Sequence, residues 1–181
     1  VAVSVGDGCT IAGVWKGFKD LYNAGFIDRL PKLISVQAAG CCPLNTELQT
    51  GKPWQPMEEN TIADSIAVGV PRNADKALRA VRESNGIAVN VTDEEILGAM
   101  RMLGRTCGLF GEPAGVTGAA GIKKACQLGL IPKDATVVGI ISGNGLKDVN
   151  NAIKAAGEPI SIAPDMNLLL DAFSKKGFNL K

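Results

Sequence analysis

Val1-Ala2-Val3-Ser4-Val5 runs directly into Gly6-Asp7-Gly8-Cys9-Thr10, and a segment with one apolar face follows over residues 11–23. Strand, glycine-pinched loop and helix start, in that order, present backbone N–H groups that no helical carbonyl satisfies. Such groups suit a phosphate. Apolar side chains at 11, 14, 15, 18, 21 and 22 keep helical spacing. Gly25 closes the helix, and residues 32–38 then read as a buried strand. Together these segments make a βαβ unit, whose crossover should be right-handed. A strand that begins at the first residue, with no Met before it, leads us to expect a chain cut from a longer one.

Outward from that unit, strands and helices keep alternating. Residues 40–60, with Cys41-Cys42-Pro43, Gly51, Pro53 and Pro56, read as a loop, and residues 61–68 as a short helix or turn. Asn73 is expected to N-cap a helix over 74–83, which Asn85-Gly86 ends, and 87–91 is a strand. Thr92-Asp93-Glu94-Glu95 is a capping box opening a helix that carries Ile96, Leu97, Met100 and Leu103 towards Gly108. A helix rich in small residues follows over 114–129. Residues 136–141 read as a buried strand of the parallel-sheet kind. It ends in Ser142-Gly143-Asn144-Gly145, after which Asp148 caps a helix to Ala156, and residues 157–181 read as a peripheral turn and helix. The expected fold class is α/β, a mainly parallel sheet flanked by helices. Ligands of such sheets lie outside the carboxyl ends of the strands. Glycine-rich loops follow both Val5 and Ile141, so one ligand touched by both is the geometric expectation.

Composition narrows the chemistry. The 181 residues are 46% hydrophobic and 20% charged, with a net charge of +1 and no basic stripe. That argues against a nucleic-acid partner or an acidic membrane surface. No apolar run approaches spanning length and no signal-peptide pattern stands at the N-terminus, so no membrane role is expected. Histidine is absent, and the five cysteines at 9, 41, 42, 107 and 126 show no C-x-x-C spacing. Zinc sites of the usual kinds, Ser-His-Asp and Cys-His catalysis and haem attachment are thereby excluded, and no metal site is expected. The cysteines are expected to be reduced, mostly buried small hydrophobes in a cytoplasmic protein, Cys9 being a packing residue. Proton transfer must then fall to Lys, Asp, Glu, Tyr, Ser or a bound cofactor.

Each motif taken alone has a bland explanation. Gly6-x-Gly8 serves close packing of helix on strand, and it is neither a Walker loop nor a full G-x-G-x-x-G fingerprint. Asp7 is the oddity there, because a carboxylate repels phosphate unless it faces away. Asn144-Gly145 suits a hairpin turn, although the helical pattern after it points elsewhere. Glu112-Pro113-Ala114 serves as an ordinary helix start.

As an ordered series the motifs are specific. Residues 5–11 with Trp15-Lys16-Gly17-Phe18, then Pro31-Lys32, Val36-Gln37-Ala38 and Pro43-Leu44, resemble threonine synthase. Thr61-Ile62-Ala63-Asp64-Ser65-Ile66, Thr92-Asp93-Glu94-Glu95-Ile96, Glu112-Pro113-Ala114 and residues 142–148 continue the resemblance to about Gly157. It extends to the tryptophan-synthase-β-like group, the fold type II pyridoxal-phosphate enzymes. The resemblance implies the large-domain part of a two-domain enzyme with pyridoxal 5'-phosphate at the cleft. It implies a cofactor-phosphate-binding α/β domain over 1–157, incomplete upstream, and a peripheral segment over 158–181.

By the same resemblance, backbone N–H groups of Gly6, Asp7, Gly8, Cys9 and Thr10 hold the cofactor phosphate, and the Ser142 hydroxyl meets the pyridine nitrogen. The family usually has Asn where Asp7 and Thr10 stand. The implied reaction is that of a lyase in threonine biosynthesis, turning O-phosphohomoserine and water into threonine and phosphate. Its Schiff-base lysine is expected upstream of this chain, so no catalytic residue is assigned here. Lys16 and Lys147 match non-catalytic positions, and the chain alone is expected to be inactive. The implied partners are an amino-acid substrate and the missing N-terminal half or a partner chain, with a homodimer when intact. Alternatives are a threonine or serine dehydratase or a cysteate synthase of the same fold, and a non-catalytic fragment or module.

Overall fold

The computed structural model describes residues 1–157, 159–175 and 177. In chain order the elements are β1 (Ala2–Ser4), α1 (Cys9–Asn23), β2 (Ile34–Ala38), α2 (Pro43–Thr50), a 3-10 turn (Asp64–Ile66) and α3 (Ala74–Glu83). Then come β3 (Ile87–Val91), α4 (Asp93–Cys107), α5 (Pro113–Gln127), a second 3-10 turn (Gly145–Lys147), α6 (Val149–Ala156) and α7 (Met166–Lys175). The strands form one parallel sheet in the order β1-β2-β3, with Ala2 opposite Ile34 and Ile34 opposite Ile87. A parallel sheet flanked by helices is the architecture that the alternation predicts.

Two cores follow from the period of two along each strand. Ala2, Val36, Ala38, Val89 and Val91 pack with Ile96, Val116 and Ala120 of α4 and α5. On the other side Val3, Val5 and Leu33 pack with Ile11 and Trp15 of α1 and Leu78 and Val81 of α3. Helix α5 lies directly on the sheet because its residues are small. A Cβ at Gly121 would come within 2.3 Å of the Val36 side chain. Fully buried Ile11, Leu33 and Ile96 each contribute roughly 1.5–3 kcal/mol.

Two sequence expectations need correction. Residues 40–60 are not all loop, since Pro43 opens α2 and Gly51 closes it in a left-handed conformation. What holds α2 down is polar. Fully buried Asn45 takes the Ser35 hydroxyl at 2.6 Å on its Oδ1, and its Nδ2 donates to the Val89 carbonyl at 3.1 Å and to Asn90 Oδ1 at 2.7 Å. A hydrophobic-period reading has no signal for such a contact. The second correction concerns residues 136–141, which form no strand. They touch β1 at a single parallel bridge, Ala2 to Gly139, with Ala2 N–H donating to the Val138 carbonyl at 2.8 Å. Strand β1 is only three residues long, so the pairing has little length over which to run. Val138 remains 53% exposed.

The cysteines also depart from expectation. Cys41 and Cys42 are buried, but Cys9, Cys107 and Cys126 are exposed, and all five are free thiols. Burial pushes the Cys41 thiol up from its ordinary value. Other local expectations hold. The Thr92–Glu95 capping box closes from both sides, and Asp148 Oδ1 accepts the Asn151 amide. Helix α7 falls within the stretch 157–181, of which 158, 176 and 178–181 lie outside the described residues. Among the described residues no helix is long and apolar enough to cross a membrane. No cluster of three or more Cys, Asp or Glu residues among them could hold a metal ion.

Candidate functional site

Helix α1 begins abruptly. Gly8 precedes it with φ +90°, a left-handed turn that a side chain rarely tolerates. The first amide with a backbone acceptor is that of Ala12, which donates to the Gly8 carbonyl at 3.2 Å. Among the described residues, the six amides from Gly6 to Ile11 donate to no protein group. A helix start always leaves some donors over; here the preceding loop adds more. Both glycines are required by what lies behind them. A Cβ on Gly6 would sit 2.8 Å from Ile66 Cα, and one on Gly8 would sit 2.7 Å from Ala77 Cβ. Close packing explains the glycines, and the unpaired amides are a separate consequence of the same turn.

Asp7 is accounted for. Its Oδ1 accepts the Arg72 amide at 2.7 Å, and its carbonyl accepts the Asn73 amide at 3.1 Å. Asn73 does not cap α3 with its side chain, as the sequence suggested. It donates Nδ2 to the Gly8 carbonyl at 3.3 Å instead. The carboxylate that looked misplaced beside a phosphate is bonded to the entrance of α3.

The second glycine-rich loop is built differently. Glu112 N–H donates to the Gly143 carbonyl at 3.0 Å, and Gly145 N–H donates to the Phe110 carbonyl at 3.0 Å. The Glu112 side chain lies against Gly143 so closely that a Cβ there would fall 1.7 Å from Glu112 Oε1. Glu112 is 6% exposed, and Lys147 reaches back to donate to its Oε1 at 2.8 Å. Asn144 accepts the Leu146 amide and so turns the chain into the second 3-10 turn. Residues 142–145 are thus strapped across the start of α5.

Both loops reach one cavity of about 340 Å³. Thr10 lines it from the first loop and Ser142, Gly143 and Asn144 from the second, with Ser4, Ser65, Glu112 and Lys147 on the remaining walls. Among the described residues, the hydroxyls of Thr10, Ser65 and Ser142 make no hydrogen bond to protein. Of the residues proposed from sequence, Thr10 and Ser142 meet on this cavity; Gly6, Asp7, Gly8 and Cys9 precede Thr10 in the chain and are not among the lining residues, and Asp7 is bonded to the entrance of α3. Sequence reasoning missed Ser4, Ser65 and the Glu112–Lys147 pair. Glu112 read as a helix start, and nothing in its spacing showed the lysine 35 residues later.

Comparison with known proteins supplies the family. The family described as "Pyridoxal-phosphate dependent enzyme" matches residues 1–143. The chain belongs to that family. A threonine synthase of Methanocaldococcus jannaschii is 44% identical over 171 residues, covering 93% of this chain and 42% of that protein. The solved threonine synthase of Escherichia coli superposes with a TM-score of 0.63 at 14% identity, covering 97% of this chain and 43% of the other. Processed threonine deaminase isoform 2 of Solanum lycopersicum superposes at 0.62 with 24% identity, covering 85% and 43%. Those two likenesses concern the fold. The chain spans less than half the length of the relatives it matches.

Family membership implies pyridoxal phosphate as cofactor, and the donor set fits it. A dianion is matched by unpaired amides at a left-handed glycine and a helix start. A small aromatic ring with one nitrogen acceptor is matched by a cavity at the low end of the ligand-pocket range, about 300–1,000 Å³, carrying free hydroxyls.

Proposed function

We propose that this chain supplies the cofactor-phosphate-binding part of a threonine-synthase-like lyase, with O-phosphohomoserine and water as substrates and threonine and phosphate as products. The observation that carries the reading is the meeting of Thr10 and Ser142 on one cavity, together with amides of residues 6–10 that donate to no protein group among the described residues. Identity of 44% to a threonine synthase favours the synthase over the dehydratases, whose fold is held in common.

When bound, the cofactor supplies an electron sink for a substrate carbon that loses a proton. In this reading the chain's own residues bind and orient. The amides of Gly6, Asp7, Gly8, Cys9 and Thr10 hold the phosphate, and the Thr10 hydroxyl adds a donor. The Ser142 hydroxyl faces the ring nitrogen; being neutral, it does not hold a proton there as a carboxylate would. Lys147 is the one lysine on the cavity among the described residues, and Glu112 engages its ammonium. We therefore assign the Schiff-base lysine and the substrate-phosphate ligands to polypeptide outside this chain. Residues 1–157 form the binding unit, and the complete enzyme is a cytoplasmic homodimer acting on an amino-acid substrate.

Borohydride reduction of the chain mixed with pyridoxal 5'-phosphate, followed by peptide mass mapping, tests the assignment. Scattered low-level labelling of surface lysines is expected. A single stoichiometric adduct, above all on Lys147, would overturn it.

A further inference from the structure

We infer that the side chain and carbonyl of Asp7 position the phosphate-binding amides, acting through the entrance of α3 rather than by touching the anion. The inference rests on the reading of residues 6–10 as the phosphate site.

The argument is one of peptide geometry. In a trans peptide the C=O of one residue and the N–H of the next point in opposite directions, and no described peptide bond is cis. Asn73 N–H holds the Asp7 carbonyl at 3.1 Å, so the Gly8 N–H in the same plane points away from α3. The Gly8 carbonyl is shared by the Ala12 amide at 3.2 Å and the Asn73 side chain at 3.3 Å, so the Cys9 N–H points away from both. A third bond secures the pair. Asp7 Oδ1 takes the Arg72 amide at 2.7 Å, pinning residue 7 to the residue before Asn73. Ala77 of α3 stands 2.7 Å from where a Gly8 Cβ would be, so the loop rests against the helix that clamps it. Helix α3 is itself fixed at its far end, where Glu83 accepts the Trp15 indole at 2.7 Å and Lys19 at 3.0 Å.

Acceptor and charge are separable roles at Asp7. The clamp needs only an oxygen that accepts from Arg72, which an amide also provides. The negative charge is a by-product, and it works against the nearby phosphate. Asp7→Asn therefore keeps the clamp and removes the repulsion, whereas Asp7→Ala removes both.

The test measures binding of pyridoxamine 5'-phosphate and of pyridoxamine to the chain by calorimetry or ligand-observed proton NMR. Both ligands lack the aldehyde that would react with lysines, and their affinity ratio isolates the phosphate contribution. Asp7→Ala is expected to lower that ratio about tenfold and Asn73→Ala about threefold, as for misaligned hydrogen bonds to a charged group. Asp7→Asn should raise it about twofold. A ratio for Asp7→Ala within twofold of wild type, in a protein with unchanged circular dichroism, overturns the inference. Should Asp7→Ala fail to fold, Asp7→Asn decides: a ratio lowered as far as expected for the alanine variant refutes the clamp. A merely structural role would weaken both ligands alike and leave the ratio unmoved. If the wild-type chain itself shows no preference for the phosphorylated ligand, the phosphate reading fails and this inference with it.

Discussion

The two glycine-rich loops on the cavity solve different problems with the same residue. In residues 6–8 the glycines let helix α3 and the Asp64–Ile66 turn press against the loop from behind, and the amides come free. In residues 143–145 the glycines let the loop sink onto Glu112 and Phe110, with the Gly143 carbonyl and the Gly145 amide bonded to that strap. What the second loop offers is a side chain, the hydroxyl of Ser142. The contrast matches the two ends of the implied cofactor. A phosphate gains most from several fixed N–H donors, whereas a ring nitrogen needs one hydroxyl.

Breaking either loop sharpens the contrast. Gly143→Ala should be the most damaging change, because the new methyl would overlap Glu112 Oε1 at 1.7 Å and Cδ at 2.3 Å. A loss of about 3 kcal/mol in urea unfolding is expected, since Glu112 is nearly buried and cannot step aside freely. Gly8→Ala should cost about 2 kcal/mol for a side chain at positive φ, with the loss falling more on phosphorylated than on unphosphorylated ligand. Ser142→Ala reverses that pattern. Stability should hardly change, while pyridoxamine and its phosphate should both bind about threefold to tenfold more weakly, the effect of one lost hydrogen bond. Equal behaviour of the Gly8 and Ser142 variants towards the two ligands would erase the distinction between the loops.

The smallest effect concerns acid. Away from both loops, two carboxylates, Glu47 of α2 and Glu95 of α4, are held below their ordinary value of 4.5. Burial alone would raise Glu47, but the Trp54 amide and the Arg82 guanidinium on α3 outweigh it. Burial likewise opposes the Lys124 ammonium and the Thr92 amide at Glu95, and is outweighed. Depressed values in the folded state mean stability that is fully present above about 4.5 and lost as pH falls through the lower folded values. The urea midpoint should therefore fall between pH 5.5 and 3, and Glu47→Gln should flatten that dependence. An unchanged slope in the variant would remove Glu47 from the account. Because these pairs are partly exposed, salt should shrink the effect.

Much of this was legible in the sequence. End signals placed α3 and β3 and the Thr92–Glu95 box placed α4, because such signals belong to the local chain, although Asn73 uses its side chain on Gly8 rather than on the cap. Helix α2 escaped because its anchor is Asn45, a polar residue bonded to Ser35, Val89 and Asn90, and hydrophobic patterns do not see such contacts. The apolar run over 136–141 promised a strand, but strand formation needs a neighbour as well as a pattern. Residue types announced Ser142 and the glycines of the first loop. The roles of Asp7 and Glu112 lie in partners 65 and 35 residues away, Arg72 and Lys147, and no local reading reaches that far.

The central claim is that both loops grip opposite ends of one ligand. Titration of the ¹⁵N-labelled chain with pyridoxamine 5'-phosphate, followed amide by amide in NMR spectra, tests it most directly. The account predicts that the amides of Gly6, Gly8, Cys9 and Thr10 shift together with those of Ser142 and Gly143, along a single saturation curve. Movement of only one loop, or two loops saturating with different constants, would contradict it.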